Sequence, residues 1–186
     1  MSTVTFVTGN ASKAAYLTKC LGFPVQHHKV DVPEIQSLDL QEVVEHKVRA
    51  AYKLLQRPVL VEDVSLEFTA LGRLPGTFIR FYVDEVPLET ICRTLDGLNR
   101  GAVARCVFGY YDGSDDVQFF ESSMPGMIAE HPRGNGGYGW DKLFIPDGYS
   151  QTRAEMNTVD DEKTYTTIKP FAKLREFLQA KVGYNN

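Results

Sequence analysis

The chain has 186 residues, of which 43% are hydrophobic and 24% are charged, and its formal net charge at pH 7 is −4. This composition predicts a globular protein of one domain, or of two closely joined lobes, that can bury a core without cross-links. The negative charge and the lack of a dense Lys/Arg cluster argue against a protein that binds nucleic acid.

The cysteines and the N-terminus bear on the cellular compartment. Cys20, Cys92 and Cys106 form no CxxC pair, which argues against a disulfide framework and a zinc site and favours a reducing compartment. The first residues lack the basic and apolar regions of a secretory signal, and no apolar run approaches 18 residues. We therefore expect a cytoplasmic protein that makes no membrane contact.

The first third of the chain alternates between strand and helix patterns. Strands are predicted at residues 3–8, 25–30 and 58–61, and helices at residues 12–21 and 38–55.

The remainder is less regular. The sequence after residue 70 predicts a loop at 71–76, a helix at 86–98 and two strands at 102–111 and 117–127 that are joined by a turn at 112–115. It then predicts a glycine-rich loop at 130–140, a turn at 146–148 and a helix at 167–182. Pro170 is expected in the first turn of that last helix, where a missing N–H is tolerated. These elements predict an α/β fold with a mixed β-sheet flanked by helices.

The first strand is followed by a turn with two interpretations. Its residues are Thr8, Gly9, Asn10, Ala11, Ser12 and Lys13. Amides at a helix start, together with the lysine, suit phosphate oxygens. The same residues also suit an ordinary strand-to-helix turn with an Asn or Ser cap.

Acidic residues follow the predicted strand at 58–61. Glu62 and Asp63 would face a ligand-binding crevice at the end of that strand, and Mg²⁺ commonly takes one or two carboxylates plus substrate phosphates. A solvated strand end is an equally good interpretation. Glu34 is a weaker candidate, and taken alone it suits a surface loop.

Two basic residues are candidates for phosphate binding. Lys47 lies among apolar positions of its helix, so its stem can cover the core edge while its ammonium reaches a cleft. Arg80 follows Phe78 and Ile79 and can similarly reach a phosphate. Either residue can equally be a solvated charge.

The segment at 134–141 is rich in glycine, which lets the backbone approach a ligand closely. Tyr138 and Trp140 offer flat faces for a base, and Asp141 can accept hydrogen bonds from a base N–H. The alternative is a mobile loop with one core tryptophan.

Five segments together carry a family resemblance. They are TGNASK at 8–13, VEDV at 61–64, LGRLPG at 71–76, GWD at 139–141 and PDGYSQTRAEM at 146–156. In this order and spacing they resemble the inosine triphosphate pyrophosphatase family, also called the Ham1-like family.

The resemblance implies one Ham1-like domain over residues 1–186, with a two-lobed α/β fold, a long mixed sheet and an active-site cleft between the lobes. It implies a homodimer that hydrolyses ITP, dITP and XTP to the monophosphate and pyrophosphate. The implied cofactor is Mg²⁺, with Mn²⁺ as an alternative.

The resemblance also implies roles for individual residues. Substrate contacts fall on Thr8, Gly9, Asn10, Ala11, Ser12, Lys13, Lys47, Arg80, Tyr138, Gly139, Trp140, Asp141, Lys163, Ile168 and Lys169. Glu34 and Asp63 are the implied metal ligands. Asp63 is also the expected base for the attacking water, with help from Glu62, and Lys13 is the third expected catalytic residue.

The chain departs from the family pattern at two places. Thr167, Ile168 and Lys169 stand where the family has Ser-His-Arg, which helps to read the 6-keto group of the purine, and Ser12 replaces a lysine. Loss of donors predicts weaker discrimination against adenine. A different or broader base specificity is therefore one alternative, and a nucleotide-binding protein without turnover is another.

Overall fold

The structure is a computed structural model that describes residues 4–114 and 116–182. Its strands are β1 (Thr5–Val7), β2 (Gln26–His28), β3 (Val59–Phe68), β4 (Pro75–Gly76), β5 (Gly101–Tyr111), β6 (Gln118–Ile128) and β7 (Phe144–Pro146). Its α-helices are α1 (Ala11–Leu21), α2 (Leu40–Leu55), α3 (Ile79–Glu85), α4 (Leu88–Arg93), α5 (Thr158–Ile168) and α6 (Phe171–Val182). Short 3₁₀ helices cover Thr69–Leu71, Gly139–Lys142 and Arg153–Glu155.

The strands form one seven-stranded sheet. Its order is β2-β1-β3-β5-β6-β7, and β4 pairs with β3. Strand β1 pairs in parallel with β2 and β3, whereas β6 and β7 are antiparallel. The predicted α/β fold with a mixed sheet is confirmed.

Local sequence signals explain where α1 ends and where α2 begins. Asp39 caps α2, because its Oδ1 accepts bonds from the amides of Gln41 at 2.9 Å and Glu42 at 3.3 Å. Gly22 ends α1 with a φ of 77°, a left-handed conformation that glycine adopts without strain.

The chain divides into two compact units. Unit 1 comprises the residues up to Asp63, Val107–Glu121 and the residues from Pro170 onward. One of its buried clusters consists of Val7, Leu40, Val44, Val48, Ala51, Val59, Val61, Val107 and Val117. Helix α2 therefore packs its apolar face against the valine-rich strands, as its spacing predicts.

A second set of contacts in unit 1 is aromatic. The ring of Phe108 lies 6.2 Å from that of Phe6 and 6.0 Å from that of Phe171, and Tyr16 also lies 6.0 Å from Phe171. These contacts join β1, α1 and β5 to α6, so the last helix is part of the core around the first strand.

Unit 2 comprises Val64–Cys106 and Ser122–Lys169. Ile91, Cys92 and Leu95 are completely buried in it. The guanidinium of Arg100 donates to the carbonyl oxygens of Cys92 at 3.1 Å and Ala129 at 2.9 Å. These bonds tie α4 to the segment that follows β6.

The helix predicted at 86–98 is wrong at both ends, because α4 covers only Leu88–Arg93. Val86 is extended, with φ −107° and ψ 126°, and it separates α3 from α4. The reason is Pro87, because a residue before proline is disfavoured in the helical region.

The third strand is longer than predicted. Strand β3 continues to Phe68, so Glu62 and Asp63 lie within it and not at its end. Ser65, Leu66 and Phe68 are buried beyond them and continue the strand. The prediction ended the strand too early because two acidic residues after an apolar run are typical of a strand terminus.

The single helix predicted at 167–182 is wrong, because this range contains the end of α5 and the whole of α6. Thr167 lies in the last turn of α5, where its Oγ1 donates to the carbonyl oxygen of Lys163 at 2.9 Å, so it is not a helix cap. Pro170 directly precedes α6, which begins at Phe171. The missing helix α5 has its own signal, since Asn157 caps it by accepting from the amide of Asp160 at 3.0 Å.

Across the part of the chain that the structure describes, no helix combines the length and the apolar character needed to cross a membrane.

An ion pair in unit 1 gives a pH-dependent test of the fold. Hydrogen bonds from Ser114 and the nearby ammonium of Lys181, 3.0 Å from Oδ2, lower the pKa of Asp112 to about 2. Because this pKa is depressed in the folded state, the resulting stability is present above the ordinary pKa and is lost as the pH falls towards 2.

We expect Asp112→Asn to lower the free energy of unfolding by about 1 kcal/mol at pH 7, with a smaller deficit near pH 3. Urea titrations at both pH values measure this. Lys181→Met should cost less than Asp112→Asn, because the bonds from Ser114 remain. An equal deficit at both pH values would contradict the assignment.

Candidate functional site

The turn between β1 and α1 is held by hydrogen bonds of its own residues. The Oδ1 atom of Asn10 accepts from the amides of Ser12 at 2.9 Å and Lys13 at 3.3 Å, and Thr8 Oγ1 accepts from the amide of Asn10 at 3.2 Å. Asn10 is thus the helix cap that the sequence allowed as one interpretation. The ring nitrogen Nε2 of His27 lies 2.8 Å from the carbonyl oxygen of Thr8, a contact that the sequence analysis missed.

Lys13 projects from the first turn of α1 towards β3. Its Nζ lies 3.2 Å from Oε1 of Glu62, whose side chain is only 5% exposed. Burial of a carboxylate requires a compensating cation or donors. The predicted turn lysine and the first predicted acid are therefore adjacent.

Lys47 joins the other two predicted acids. Its Nζ donates to Oε1 of Glu34 at 2.7 Å and to Oδ2 of Asp63 at 3.1 Å. Burial by itself would lower the pKa of Lys47, but the charges and hydrogen bonds of Asp63 and Glu34 outweigh it and raise the pKa above its ordinary value. The ammonium therefore stays charged at neutral pH.

The carboxylates of Glu34 and Asp63 suit a hard cation. Mg²⁺ prefers oxygen ligands and usually takes one or two protein carboxylates, with water and phosphate oxygens completing its shell. Both carboxylates contact the same ammonium, so they are close enough to serve one cation jointly. Among the residues that the structure describes, no group of three or more His, Cys, Asp or Glu side chains is arranged to hold a metal ion.

The remaining predicted residues lie in unit 2. Arg80 is on α3, with a side chain that is 81% exposed and 3.6 Å from the carboxylate of Asp84. Lys163 is exposed on α5. Both cations are accessible to an anion from solvent.

The glycine-rich loop at 134–141 is held by hydrogen bonds and close packing of its own residues. The Oδ2 atom of Asp141 accepts from the amide of Tyr138 at 2.8 Å and closes the turn that carries Trp140. Gly137 has a φ of +69°, and a Cβ there would lie 2.5 Å from the Cβ of Asp141, so the close turn requires glycine. The side chain of Tyr138 is left largely in solvent, while the ring of Trp140 packs edge-on against Phe144 at 5.7 Å.

The end of α5 departs from the expected base-reading arrangement. Ile168 is 2% exposed and belongs to the packed interior. Lys169 is also buried, and its Nζ lies over the ring of Tyr165, 5.4 Å from the centroid. The side chain of Ile168 is thus not on a surface that a base can reach.

Arg153 is the main polar residue of unit 2 to which the sequence analysis gave no role. It lies in a 3₁₀ helix, and its guanidinium contacts the carboxylates of Asp141 and Asp161 at 2.8 and 2.6 Å. Part of the signal was present in the sequence. Asn157 followed by Asp160 and Asp161 is typical of a helix start, and it would have placed α5 beside the TRAEM segment.

The mixed sheet, the capped β1–α1 turn and the lysine-bound acids define an α/β protein with polar residues gathered where such folds commonly bind phosphate-bearing ligands. A model of the Ham1 family matches residues 4–177. The chain belongs to the Ham1 family.

Individual relatives agree with this assignment. The chain is 42% identical over 181 residues to inosine triphosphate pyrophosphatase 2 of Trypanosoma cruzi (strain CL Brener), covering 95% of this chain and 90% of the relative. It is 37% identical over 185 residues to inosine triphosphate pyrophosphatase of Batrachochytrium dendrobatidis, with 97% and 96% covered.

Solved structures share the fold. The Staphylococcus aureus Ham1 protein superposes with a TM-score of 0.80 at 22% identity, covering 96% of this chain and 99% of that one. A HAM1 protein from Coxiella burnetii gives a TM-score of 0.78 at 22% identity, with 100% of both chains covered.

The cap at Asn10 gives a second test. We expect Asn10→Ala to lower the free energy of unfolding by about 1 kcal/mol, because the amides of Ser12 and Lys13 lose their acceptor. Thermal or urea unfolding measures this. Ser12→Ala, at an exposed position of the same turn, is the control and should change stability by less than about 0.5 kcal/mol. Equal effects of the two variants would contradict the capping role.

Proposed function

We propose that this protein hydrolyses non-canonical purine nucleoside triphosphates, such as ITP, dITP and XTP, to the monophosphate and pyrophosphate. The observation that carries the proposal is the convergence of Glu34 and Asp63 on the ammonium of Lys47. Family membership supplies the reaction, since relatives with 37–42% identity are named inosine triphosphate pyrophosphatases.

The polyphosphate is assigned to the polar residues of unit 1. Lys13 lies in the first turn of α1, and its ion pair with Glu62 can open so that a phosphate takes the place of the carboxylate. Thr8, Gly9, Asn10, Ala11 and Ser12 form the turn that would face the phosphates. Lys47 supplies a second cation of fixed charge.

Asp63 is proposed as the base. A water molecule attacks the α-phosphorus, the bond from that phosphorus to the bridging oxygen breaks, and pyrophosphate leaves. The proton of the water passes to the carboxylate of Asp63, which Lys47 holds in place through its Oδ2 atom. Glu62, which precedes Asp63 in β3, is proposed to help Asp63 with the water, and its ion pair with Lys13 holds that lysine in position before substrate binds.

Glu34 and Asp63 are proposed to hold Mg²⁺, or Mn²⁺ in its place. Such an ion, when bound, neutralises charge that develops on the phosphate oxygens. The hard oxygen atoms of both acids suit either metal.

The base of the nucleotide is assigned to residues of unit 2. Tyr138 and Trp140 offer aromatic faces, and Gly139 and Asp141 complete the loop that carries them. Arg80 and Lys163 are proposed as further substrate contacts. Ile168 and Lys169 are both buried, so they are proposed as contacts that a base reaches only when the end of α5 moves.

Family resemblance also supports one catalytic domain over residues 1–186, a homodimer and a cytoplasmic location. Light scattering after gel filtration tests the dimer, and fractionation tests the location.

The catalytic role of Asp63 predicts a kinetic effect. We expect Asp63→Asn to lower the rate of pyrophosphate release from ITP in Mg²⁺ by about 10²-fold or more, because the variant cannot accept the proton. Removing the metal with a chelator should abolish release by the normal protein. Asp31→Asn, at an exposed position of unit 1, is the control and should retain normal turnover. Near-normal activity of Asp63→Asn would remove the proposed base.

The buried Ile168 and the lysine at position 169 predict weak selectivity between the bases of nucleoside triphosphates. We expect a preference for ITP over ATP in kcat/KM that is below about 100-fold, because donors to the 6-keto group are fewer than in relatives with Ser-His-Arg. A panel of triphosphates at equal concentration measures this preference. A larger preference would show that other groups read the base, and binding without release of pyrophosphate from any nucleotide would favour a non-catalytic binder.

A further inference from the structure

Arg153 is one of the most deeply buried charged side chains near the glycine-rich loop at 134–141, which carries Tyr138 and Trp140 and is called the aromatic loop below. The residue is 6% exposed. A guanidinium removed from water is costly unless its N–H groups are satisfied and its charge is balanced. The surroundings of Arg153 meet both conditions.

Each nitrogen of the guanidinium has a partner. Nη1 donates to Oδ1 of Asp141 at 2.8 Å, Nη2 to Oδ1 of Asp161 at 2.6 Å and Nε to Oγ1 of Thr164 at 3.3 Å. The group also lies over the ring of Tyr165, 5.4 Å from the centroid. The planar fork of arginine suits this set, whereas the point charge of a lysine could not reach all three acceptors.

These bonds connect the aromatic loop to α5. Asp141 belongs to the loop, whereas Asp161 and Thr164 are on α5. The loop is also seated on the 3₁₀ helix of Arg153 by its backbone, since the amide of Gly136 donates to the carbonyl oxygen of Ala154 at 3.0 Å. Arg153 therefore joins the two segments through its side chain.

The two carboxylate oxygen atoms of Asp141 accept hydrogen bonds from different donors. Oδ1 accepts from Arg153, and Oδ2 accepts from the amide of Tyr138 at 2.8 Å. Without the guanidinium, the buried carboxylate of Asp141 would lose its main counter-charge. It would then turn towards water or take up a proton, and either change disturbs the turn that holds Tyr138 and Trp140.

We propose that Arg153 is a positioning residue: through Asp141 it holds the aromatic loop against α5, and so it governs how well the protein selects among purine bases. The proposal rests on the proposed function, in which this loop contacts the base. Arg153 touches no reacting atom, so its loss should affect binding of the base more than the hydrolytic step.

The test uses the full chain and Trp140, which is the only tryptophan in the sequence. Its fluorescence, excited selectively over that of tyrosine, therefore reports on the loop without a contribution from another tryptophan. In Arg153→Gln we expect quenching of Trp140 by acrylamide to increase in the absence of nucleotide. For ITP we expect KM to rise about tenfold with kcat within about threefold, and the ITP-to-ATP preference to shrink.

Two further variants make the test specific. Arg105→Gln is the matched control, because Arg105 also forms an ion pair in unit 2, from β5 to Glu67 of β3 at 3.3 Å. It should leave quenching, KM and base preference unchanged. Arg153→Lys keeps the buried charge and should shift all three quantities in the same direction by less, so it decides the matter if Arg153→Gln is insoluble.

The outcomes separate the proposals. Unchanged quenching and KM in the Arg153 variants would overturn the positioning role, and so would a fall in kcat at constant KM and base preference. If the normal protein releases no pyrophosphate from any triphosphate, the proposed function fails. The quenching measurement on nucleotide-free protein then still tests whether Arg153 holds the loop.

Discussion

A charge cannot be buried without a partner, and this constraint explains where the principal ionisable side chains of both units lie. In unit 1 the ammonium of Lys47 brings Glu34 and Asp63 together, and Lys13 accompanies the buried Glu62. In unit 2 the guanidinium of Arg153 does the same for a pair of aspartates. The acidic and basic side chains of the candidate site are thus already held in ion pairs.

Much of the fold follows from local sequence signals. The apolar spacing of α2, the glycine after α1 and the β-branched run of β1 are each readable within about one turn or strand. The central breaks were harder, because the effect of Pro87 on Val86 competes with an apolar pattern that continues across it. The extent of β3 depends on pairing: its last residues pair with the two-residue strand β4, which has no signal of its own.

The site was predicted unevenly for a similar reason. The β1–α1 turn is local, so its residues stand out in the sequence. The pairing of Lys13 with Glu62 joins positions 49 residues apart, and no spacing rule links them. The family resemblance implies roles for both residues but does not imply that they form an ion pair. The role of Arg153 could not be predicted from local sequence, because its three acceptors lie on two other segments, the loop at 134–141 and α5.

The order of segments in unit 1 has a consequence for how the chain acquires its structure during synthesis. Tyr16 in α1 packs against Phe171 in α6, and the guanidinium of Arg175 donates to the carbonyl oxygen of Cys20, a separation of 155 positions. A ribosome adds roughly 5–20 residues per second, so the first helix waits many seconds for its partner to leave the exit tunnel. Throughout that interval the nascent N-terminal half exposes the apolar surface of α1 that α6 contacts in the folded protein.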